Sequence, residues 1–200
     1  METPILAVAV LVAAYLAGSV DFAVVVGRIH GVDITSVGSG NPGAANVMRT
    51  LGRGPGAMVL AGDMLKGVVA AAMGMVAGGD PAGLWAFGAG AASVLGHCYP
   101  VFHRFRGGKG VATAVGVMLL TIPVGGLALI GIWLAGVALS RISAVGSLAL
   151  SIAAVPVAMW QGVEGTALVV IGAMFLLVVL RHRTNIARLV AGEEHSVRRQ

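Results

Sequence analysis

The feature that most limits the fold of this chain is a series of long apolar segments. Several of them approach or exceed the roughly 18–20 residues that cross a bilayer as a helix. Hydrophobic residues make up 58% of the 200 residues, charged residues make up only 10%, and the mean hydropathy is +0.94. This composition is far too apolar for a soluble domain. We therefore expect an all-α polytopic membrane protein that forms a single domain over residues 1–200.

The apolar segments and the breaks between them predict a bundle of about seven spans. Pro123 with Gly125 and Gly126 divides the long run after Val111 into two helices, the first of which is only about 18 Å long at about 1.5 Å per residue. No basic segment precedes the first run, so we expect it to be retained as a helix. The predicted spans are Ile5–Val26, Gly56–Ala77, Ala82–Leu95, Val111–Ile122, Val124–Leu139, Leu148–Trp160 and Gly165–Leu180.

A count of seven spans places the basic loops and the basic C-terminal tail on one side of the membrane. Glu2, Asp80 and Glu164 then fall on the other side. The positive-inside rule predicts an external N-terminus and a cytoplasmic C-terminus. A net charge of +5 is also typical of proteins that bind nucleic acid, but here the basic residues edge membrane helices. We therefore expect lipid headgroups or anionic substrates as partners, and no nucleic acid.

The first polar loop, residues 32–55, contains a run from Gly38 to Gly43 that matches G-x-G-x-x-G. A dinucleotide fold is excluded because no strand precedes the run and no βαβ pattern surrounds it. The polar residues still indicate anion binding, since hydroxyls and amides bond to phosphate and a guanidinium can grip it with two bonds. On a short helix, Asn46 and Arg49 share a face. The candidate residues are Ser39, Asn41, Asn46 and Arg49.

The second polar segment, from Gly96 to Thr113, is basic and rich in glycine. Bare backbone N–H groups, cations and the positive end of a helix that begins near Val111 would together form a site for a phosphate-like anion. Such a loop can also simply anchor a helix end at the membrane surface. The candidate residues are His97, Arg104, Arg106, Gly107, Gly108, Lys109 and Gly110.

The third basic segment is the tail that follows the last span. His182, Asn185 and Arg188 are spaced by three, so they share one face of a continuing helix, and a protonated histidine can donate to phosphate. Taken alone, this tail also suits an interfacial helix. Anchoring does not require asparagines, His97 or glycines, so we interpret the three segments as parts of one anion site.

A few residues within the apolar segments carry charge or a thiol. Asp63 and Lys66 lie at i and i+3 in the second predicted span, and we expect a structural salt bridge or a contact with a neighbouring loop. Asp21 should face protein or water, where it can pair with a basic loop residue. The single cysteine, Cys98, excludes an intrachain disulfide and is expected to be a buried free thiol. No metal-ligand cluster is visible, so we expect no metal.

The three segments together resemble the motifs of the bacterial acyl-phosphate:glycerol-3-phosphate acyltransferases, the PlsY family. Their order and spacing, the chain length and the number of spans match over nearly the whole chain. Three positions depart from the family pattern: Ala45 replaces Thr, Arg106 replaces Lys, and Asp21 stands near the usual Pro. The matching residues are Gly38–Asn41, Gly43, Ala44, Asn46–Gly52, Gly96, His97, Pro100, Phe105–Thr113, His182, Arg183, Asn185, Ile186, Arg188, Leu189, Gly192 and Glu193.

The resemblance implies transfer of a fatty acyl group from acyl phosphate to the 1-hydroxyl of glycerol 3-phosphate. The products would be lysophosphatidate and phosphate, in the first step of bacterial phospholipid synthesis at the plasma membrane. Acyl phosphate is already activated and no Ser-His-Asp arrangement is evident, so we expect direct transfer without an acyl-enzyme or a cofactor. We also expect a monomer that is functionally coupled to an enzyme supplying acyl phosphate.

The resemblance also implies roles for individual residues. The candidate catalytic residues are His97, Ser39, Asn185 and His182. Among them, His97 is the candidate general base or orienter, with a phosphate oxygen of the substrate as the alternative proton acceptor. Glu193 is expected to hold the tail through a basic residue. Residues expected at glycerol 3-phosphate are Ser39, Asn41, Asn46, Arg49, Lys109, His182 and Asn185, and those expected at acyl phosphate are His97, Gly107, Gly108, Gly110 and either Ser143 or Ser147.

Two other activities fit the same basic loops. An organophosphate or anion transporter would use them as a gate and would carry charges along a path through the spans, whereas here only Asp63 and Lys66 lie deep. A lipid-phosphate phosphatase would use the same anion pocket and release phosphate without forming lysophosphatidate.

Overall fold

The computed structural model describes residues 4–80 and 82–196, and the regular secondary structure of these residues is entirely helical. Glu2, which the sequence assigns to the outer side, lies outside the described residues. A 3-10 turn, Val101–His103, follows the fifth α-helix. The α-helices are α1 Pro4–Gly18, α2 Phe22–Ile29, α3 Ala44–Leu51, α4 Arg53–Gly78, α5 Leu84–Cys98, α6 Val111–Thr121, α7 Pro123–Ser140, α8 Ser143–Trp160, α9 Gly165–Arg181 and α10 Arg183–Ala191.

All seven predicted apolar spans form helices, but they differ in length. Pro4–Ile29, α4, α7 and α8 are long and apolar enough to cross a membrane, and α9 with α10 is a fifth candidate if this pair, bent by 52°, is one span. With 15 and 11 residues, α5 and α6 are shorter than the roughly 20 residues of an ordinary span. The all-α membrane fold is confirmed, while the count of seven crossings and the orientation of the termini stay predictions.

The first span is interrupted, whereas the sequence predicts a continuous helix. Residues 19–21 are not helical, and Asp21 starts α2 by accepting a hydrogen bond from the Val24 N–H at 3.1 Å. An N-cap carboxylate of this kind satisfies a donor that the helix leaves unpaired. Asp21 therefore caps a helix instead of pairing with a basic loop residue. Beyond the break, α2 packs its buried face against Ile34 and Val47 beneath the first polar loop.

Small residues let α4 and α6 touch backbone to backbone. A Cβ atom at Gly67 of α4 would collide with the Thr113 carbonyl of α6, and one at Gly116 of α6 would collide with the Met64 carbonyl of α4. Close approach through glycine is the usual way to pack helices where lipid removes the hydrophobic driving force. Since α4 also packs against α1, α3 and α5, it places its charged residues at the centre of the bundle.

Several helix boundaries differ from the predicted ones and change the setting of site residues. Because the residue before a proline avoids helical geometry, α5 ends only next to Tyr99 and Pro100, so His97 lies in a helical turn and not in the loop. Ser143 begins α8, so both candidate serines lie on a helix and not in a turn. The predicted break at Pro123 is confirmed.

Candidate active site

The three polar segments converge on one large crevice with a volume of about 2240 Å³. Arg49, Lys109 and Asn185, one from each segment, share this cavity as the single-site interpretation requires. Asn46 and Gly108 do not line it. The predicted residues on its wall are Ser39, Asn41, Arg49, Asp63, His97, Arg104, Arg106, Gly107, Lys109, Gly110, Ser143, Ser147, His182, Asn185, Arg188 and Glu193.

Asn46 organises the first polar loop and does not face the crevice. Its buried amide accepts a hydrogen bond from the Ser39 N–H at 2.9 Å and donates to the carbonyl oxygens of Ile34 and Val37, each at 3.1 Å. Both donors and the oxygen are thus used inside the loop. The prediction that Asn46 binds glycerol 3-phosphate is wrong, and its amide instead shapes the turn that presents Ser39.

Arg49 and Ala45 both lie on the crevice wall, on α3. Arg49 lies in the last turn of α3, which ends at Leu51, and no hydrogen bond or ion pair holds its guanidinium among the described residues. Ala45 stands where the resembled family usually has Thr, so the crevice wall lacks a hydroxyl group at this position.

A chain of hydrogen bonds links the second segment to the tail. Lys109 Nζ donates a hydrogen bond to Asn185 Oδ1, and Asn185 Nδ2 donates to Glu194 Oε1 at 2.9 Å. Arg188 Nε donates to Glu194 Oε2, also at 2.9 Å. The role predicted for Glu193 thus belongs to Glu194, since Glu193 is exposed and only its backbone N–H bonds to the Arg188 carbonyl. Gly192, with φ 73°, turns the chain so that the second glutamate points back at the helix.

Lys109 titrates far below an ordinary lysine. Burial lowers its pKa from 10.5 to about 8; Glu194 opposes this shift, whereas Arg188, Arg49 and Arg181 add to it. A partly buried cation in a field of other cations is costly, and its neutral form is correspondingly favoured. An incoming phosphate would offset this cost, so the site is electrostatically prepared for an anion.

Arg181 holds the glycine loop, a role for which the sequence gives no signal. Its Nε donates to the Gly108 carbonyl at 3.1 Å, its Nη2 donates to the Gly107 carbonyl at 2.7 Å, and its guanidinium lies 5.0 Å from the centroid of the Tyr99 ring. The Gly108 N–H donates to the His97 carbonyl at 3.1 Å. The prediction that the Gly108 N–H binds acyl phosphate is therefore wrong, because this group folds the loop back onto α5.

The start of α6 points into the crevice, as the sequence predicts. Gly110 takes φ 84° immediately before the helix, a left-handed conformation that glycine adopts without strain. Gly107, Gly110, Val111 and Ala112 all line the crevice. The first turn of a helix leaves N–H groups unpaired and carries positive partial charge, which makes this end of α6 suited to a phosphate.

His182 is buried at the junction of α9 and α10, and its Nδ1 donates to the Val178 carbonyl at 2.8 Å. This bond fixes the proton of a neutral imidazole on Nδ1. The nitrogen left for a ligand, Nε2, is then an acceptor, which matches a hydroxyl better than a phosphate oxygen.

The two candidate serines differ in what their hydroxyls already bind. Ser147 is buried, and its Oγ donates to the Ser143 carbonyl at 3.0 Å and accepts from Trp133 Nε1 at 3.3 Å. Ser143 opens the helix, and no hydrogen bond holds its hydroxyl among the described residues. Of the two, Ser143 is the better candidate for a ligand.

The predicted salt bridge within α4 is confirmed and has a third member. Lys66 Nζ lies 2.8 Å from Asp63 Oδ1 and donates to the Val20 carbonyl at 2.8 Å. His97 Nδ1 lies 3.4 Å from the same carboxylate oxygen. The histidine is 34 positions from Asp63 in the chain, so no local spacing could reveal this contact.

The chain is similar to known proteins over nearly its whole length. A profile of the glycerol-3-phosphate acyltransferase family matches residues 8–192. The glycerol-3-phosphate acyltransferase of Thioalkalivibrio sulfidiphilus is 43% identical over 96% of this chain and 95% of its own length. That of Roseobacter denitrificans is 45% identical over 92% and 90%.

Two crystal structures of PlsY, an integral membrane glycerol 3-phosphate acyltransferase, have similar folds. The glycerol 3-phosphate form has a TM-score of 0.90 at 39% identity, and the lysophosphatidic acid form has 0.89 at 38%. Each covers 95% of this chain and 94% of the other. The resemblance seen in the three motifs is therefore confirmed, and the chain belongs to the glycerol-3-phosphate acyltransferase family of integral membrane enzymes.

Proposed function

We propose that this enzyme transfers a fatty acyl group from acyl phosphate to the 1-hydroxyl of sn-glycerol 3-phosphate, the first step of phospholipid synthesis. The observation that carries the proposal is the meeting of two anion-binding features, the Arg49–Lys109 pair and the start of α6, in one crevice. Two phosphorylated substrates require two such features. PlsY, with the same fold, has a glycerol 3-phosphate form and a lysophosphatidic acid form, which supports the same acceptor and product here.

We assign the acceptor phosphate to Arg49 and Lys109. Asn185, which bonds to Lys109, orients the lysine side chain. Ser39 and Asn41 complete the phosphate pocket from the first polar loop. His182 Nε2 accepts a hydrogen bond from a hydroxyl of the glycerol moiety.

The donor lies on the other side of the acceptor. Its phosphate meets the start of α6 with the N–H groups of Gly107 and Gly110, and Ser143 donates to it. The acyl chain follows the apolar part of the crevice wall. That part comprises Leu60, Met64, Val115, Ile130, Trp133, Leu134 and Leu150.

The acyl group passes directly from donor to acceptor, and no acyl-enzyme forms. The 1-hydroxyl oxygen forms a bond to the acyl carbonyl carbon, and the bond from this carbon to the phosphate oxygen breaks. Phosphate leaves with the electron pair and finally carries the hydroxyl proton. Holding the two reactants together can supply about 7–11 kcal/mol of the barrier reduction, so we propose no cofactor and no metal.

We also propose that the chain is one domain and a monomer in the bacterial plasma membrane, with the crevice on the cytoplasmic side. The clustering of basic residues around the crevice supports this orientation. Because Cys98 is buried, single cysteines at Arg141 and Glu164 can report sidedness. An impermeant thiol reagent should label Glu164→Cys in intact cells and Arg141→Cys only after lysis; the reverse pattern would overturn the orientation.

The activity is tested with purified protein in detergent, palmitoyl phosphate and labelled glycerol 3-phosphate. We expect labelled lysophosphatidate and phosphate in a 1:1 ratio. Phosphate without lipid would indicate a phosphatase, and uptake into liposomes without product would indicate a transporter. Asp80→Asn, on a turn remote from the crevice, is the matched control and should retain full activity.

A further inference from the structure

The donor side of the crevice has an apolar floor at a defined depth. Leu150 lines the crevice, is 1% exposed and follows Ser143 by seven residues on α8. At about 1.5 Å per residue, this side chain lies about 10 Å below the serine that we assign to the donor phosphate. Val115 of α6 and Ile130 of α7 also line the crevice and belong to the same apolar cluster as Leu150. These three residues form the floor.

Helix packing closes the space below the floor. A Cβ atom on Gly126 of α7 would collide with the backbone of Leu119 of α6, so these two helices touch directly about one turn beyond Ile130 and Val115. Met118 and Leu129 are fully buried in the same cluster and do not line the crevice. An acyl chain that runs down α8 therefore meets close-packed side chains and cannot continue in that direction.

The crevice opens sideways at the depth of the floor. Leu60 of α4 and Leu134 of α7 line it, yet these side chains are 38% and 54% exposed. Leu60 follows Arg53, the first residue of α4, by seven residues, and Leu134 precedes Ser140, the last residue of α7, by six. Both leucines thus lie about 10 Å from the crevice end of their helices, where the surroundings of a membrane protein are hydrocarbon.

We propose that the protein recognises the acyl chain only down to about carbon 7, and that the floor turns the remaining tail out between Leu60 and Leu134 into the bilayer. A carbon–carbon bond of about 1.5 Å at a near-tetrahedral angle advances an extended chain by about 1.25 Å. A depth of about 10 Å therefore takes about eight bonds, counted from the phosphorus atom. This inference rests on the proposed acyl transfer and adds its donor specificity, with Leu150 as the specificity-determining residue.

The wall beside the first carbons is rigid, whereas the surroundings of the tail are fluid. The indole N–H of Trp133 donates to Ser147 Oγ at 3.3 Å, and a Cβ atom on Gly146 would collide with the Trp133 carbonyl. Trp133 lines the crevice, and these contacts keep its ring from moving aside for a wider chain. The substrate class that fits is an acyl phosphate with unbranched first carbons and any apolar tail.

The first test uses the unmodified enzyme in detergent with three donors of sixteen carbons each. They are palmitoyl phosphate and two isomers, one with a methyl branch on carbon 6 and one with the branch on carbon 14. An extra methylene in an apolar pocket changes kcat/KM about 10- to 200-fold. We expect at least about a tenfold loss for the branch on carbon 6 and less than about a twofold loss for the branch on carbon 14. Equal use of the two isomers, or a greater loss for the branch on carbon 14, would overturn the proposal.

The second test changes the floor itself. Leu150→Ala should raise the kcat/KM of the carbon-6 isomer relative to palmitoyl phosphate at least about fivefold, because the truncated side chain leaves room for the branch. Leu129→Ala is the matched control, since Leu129 is the same residue type and equally buried but does not line the crevice. Its ratio should stay within about twofold of the unmodified enzyme.

An equal rise in both variants, or an unchanged ratio in folded Leu150→Ala, would show that Leu150 does not form the floor. If Leu150→Ala fails to fold, the three donors on the unmodified enzyme still decide. Failure of the proposed function gives a different result, because palmitoyl phosphate itself would then yield no lysophosphatidate. Failure of this inference leaves that activity intact and removes only the discrimination between the two isomers.

Discussion

Raising the pH from 7 to 9 should weaken the binding of glycerol 3-phosphate, and the loss of charge on Lys109 should by itself account for the change. Burial lowers the pKa of this residue from 10.5 to about 8, so its charge is present below this value and is lost above it. The charged fraction falls from about nine-tenths at pH 7 to about one-tenth at pH 9. If phosphate binds only to the charged form, the KM for glycerol 3-phosphate should rise about tenfold, which corresponds to about 1.4 kcal/mol.

The assay is the initial rate of lysophosphatidate formation at saturating palmitoyl phosphate, with glycerol 3-phosphate varied at each pH. The substrate phosphate has its second pKa near 6, so its charge is nearly constant over this range. Lys109→Arg is the matched control because a guanidinium stays charged. Its KM should be flat between pH 7 and 9, even if its absolute value differs.

Either of two results would refute this reasoning. A KM that stays constant in the unmodified enzyme would show that Lys109 keeps an ordinary pKa or does not bind the phosphate. A parallel rise in the Lys109→Arg variant would assign the titration to another group.

Further substitutions probe three other parts of the site. Arg49→Ala should raise the KM for glycerol 3-phosphate about 10- to 100-fold, since a charge-assisted hydrogen bond is worth about 1.5–3 kcal/mol; unchanged saturation kinetics would remove this residue from the pocket. Arg181→Met should lower kcat at least about tenfold by releasing the two loop carbonyls, and Arg181→Lys should restore part of the loss; full activity of Arg181→Met would contradict the clamp. Ser143→Ala should weaken use of acyl phosphate, whereas Ser147→Ala should lower thermal stability with little kinetic effect, and the opposite pattern would exchange their roles. Neither serine should trap labelled acyl chain, and a trapped acyl group would overturn direct transfer.

Local chemistry made much of the fold predictable from the sequence. The apolar runs indicated the helices, and Pro123 marked the break before α7 because its ring cannot continue the preceding helix. The salt bridge between Asp63 and Lys66 followed from their i, i+3 spacing. Features of this kind depend on neighbours in the chain, and the sequence displays them directly.

The predictions that failed concern the direction in which a side chain points or a contact with a residue that lies elsewhere in the chain. Helical spacing put Asn46 beside Arg49 but could not show that its amide turns inward to the loop. A left-handed glycine at Gly192 shifted the tail contact by one residue, from Glu193 to Glu194. Such outcomes are set by backbone geometry and tertiary packing, which no spacing rule contains.

The contact of Arg181 with the glycine loop joins residues 73 and 74 positions apart. Only the tertiary arrangement of α9 against the end of α5 brings these groups together. A basic residue at the end of a span looks like an interfacial anchor in the sequence, so its second role was invisible there.

The central claim is that three separate segments hold one small molecule, and calorimetric titration of glycerol 3-phosphate into the purified protein tests it most directly. We expect one site per chain and at least about a tenfold loss of affinity in each of Arg49→Ala, Lys109→Met and Asn185→Ala, one variant from each segment. Two sites per chain, or unchanged affinity in any of the three folded variants, would contradict the claim.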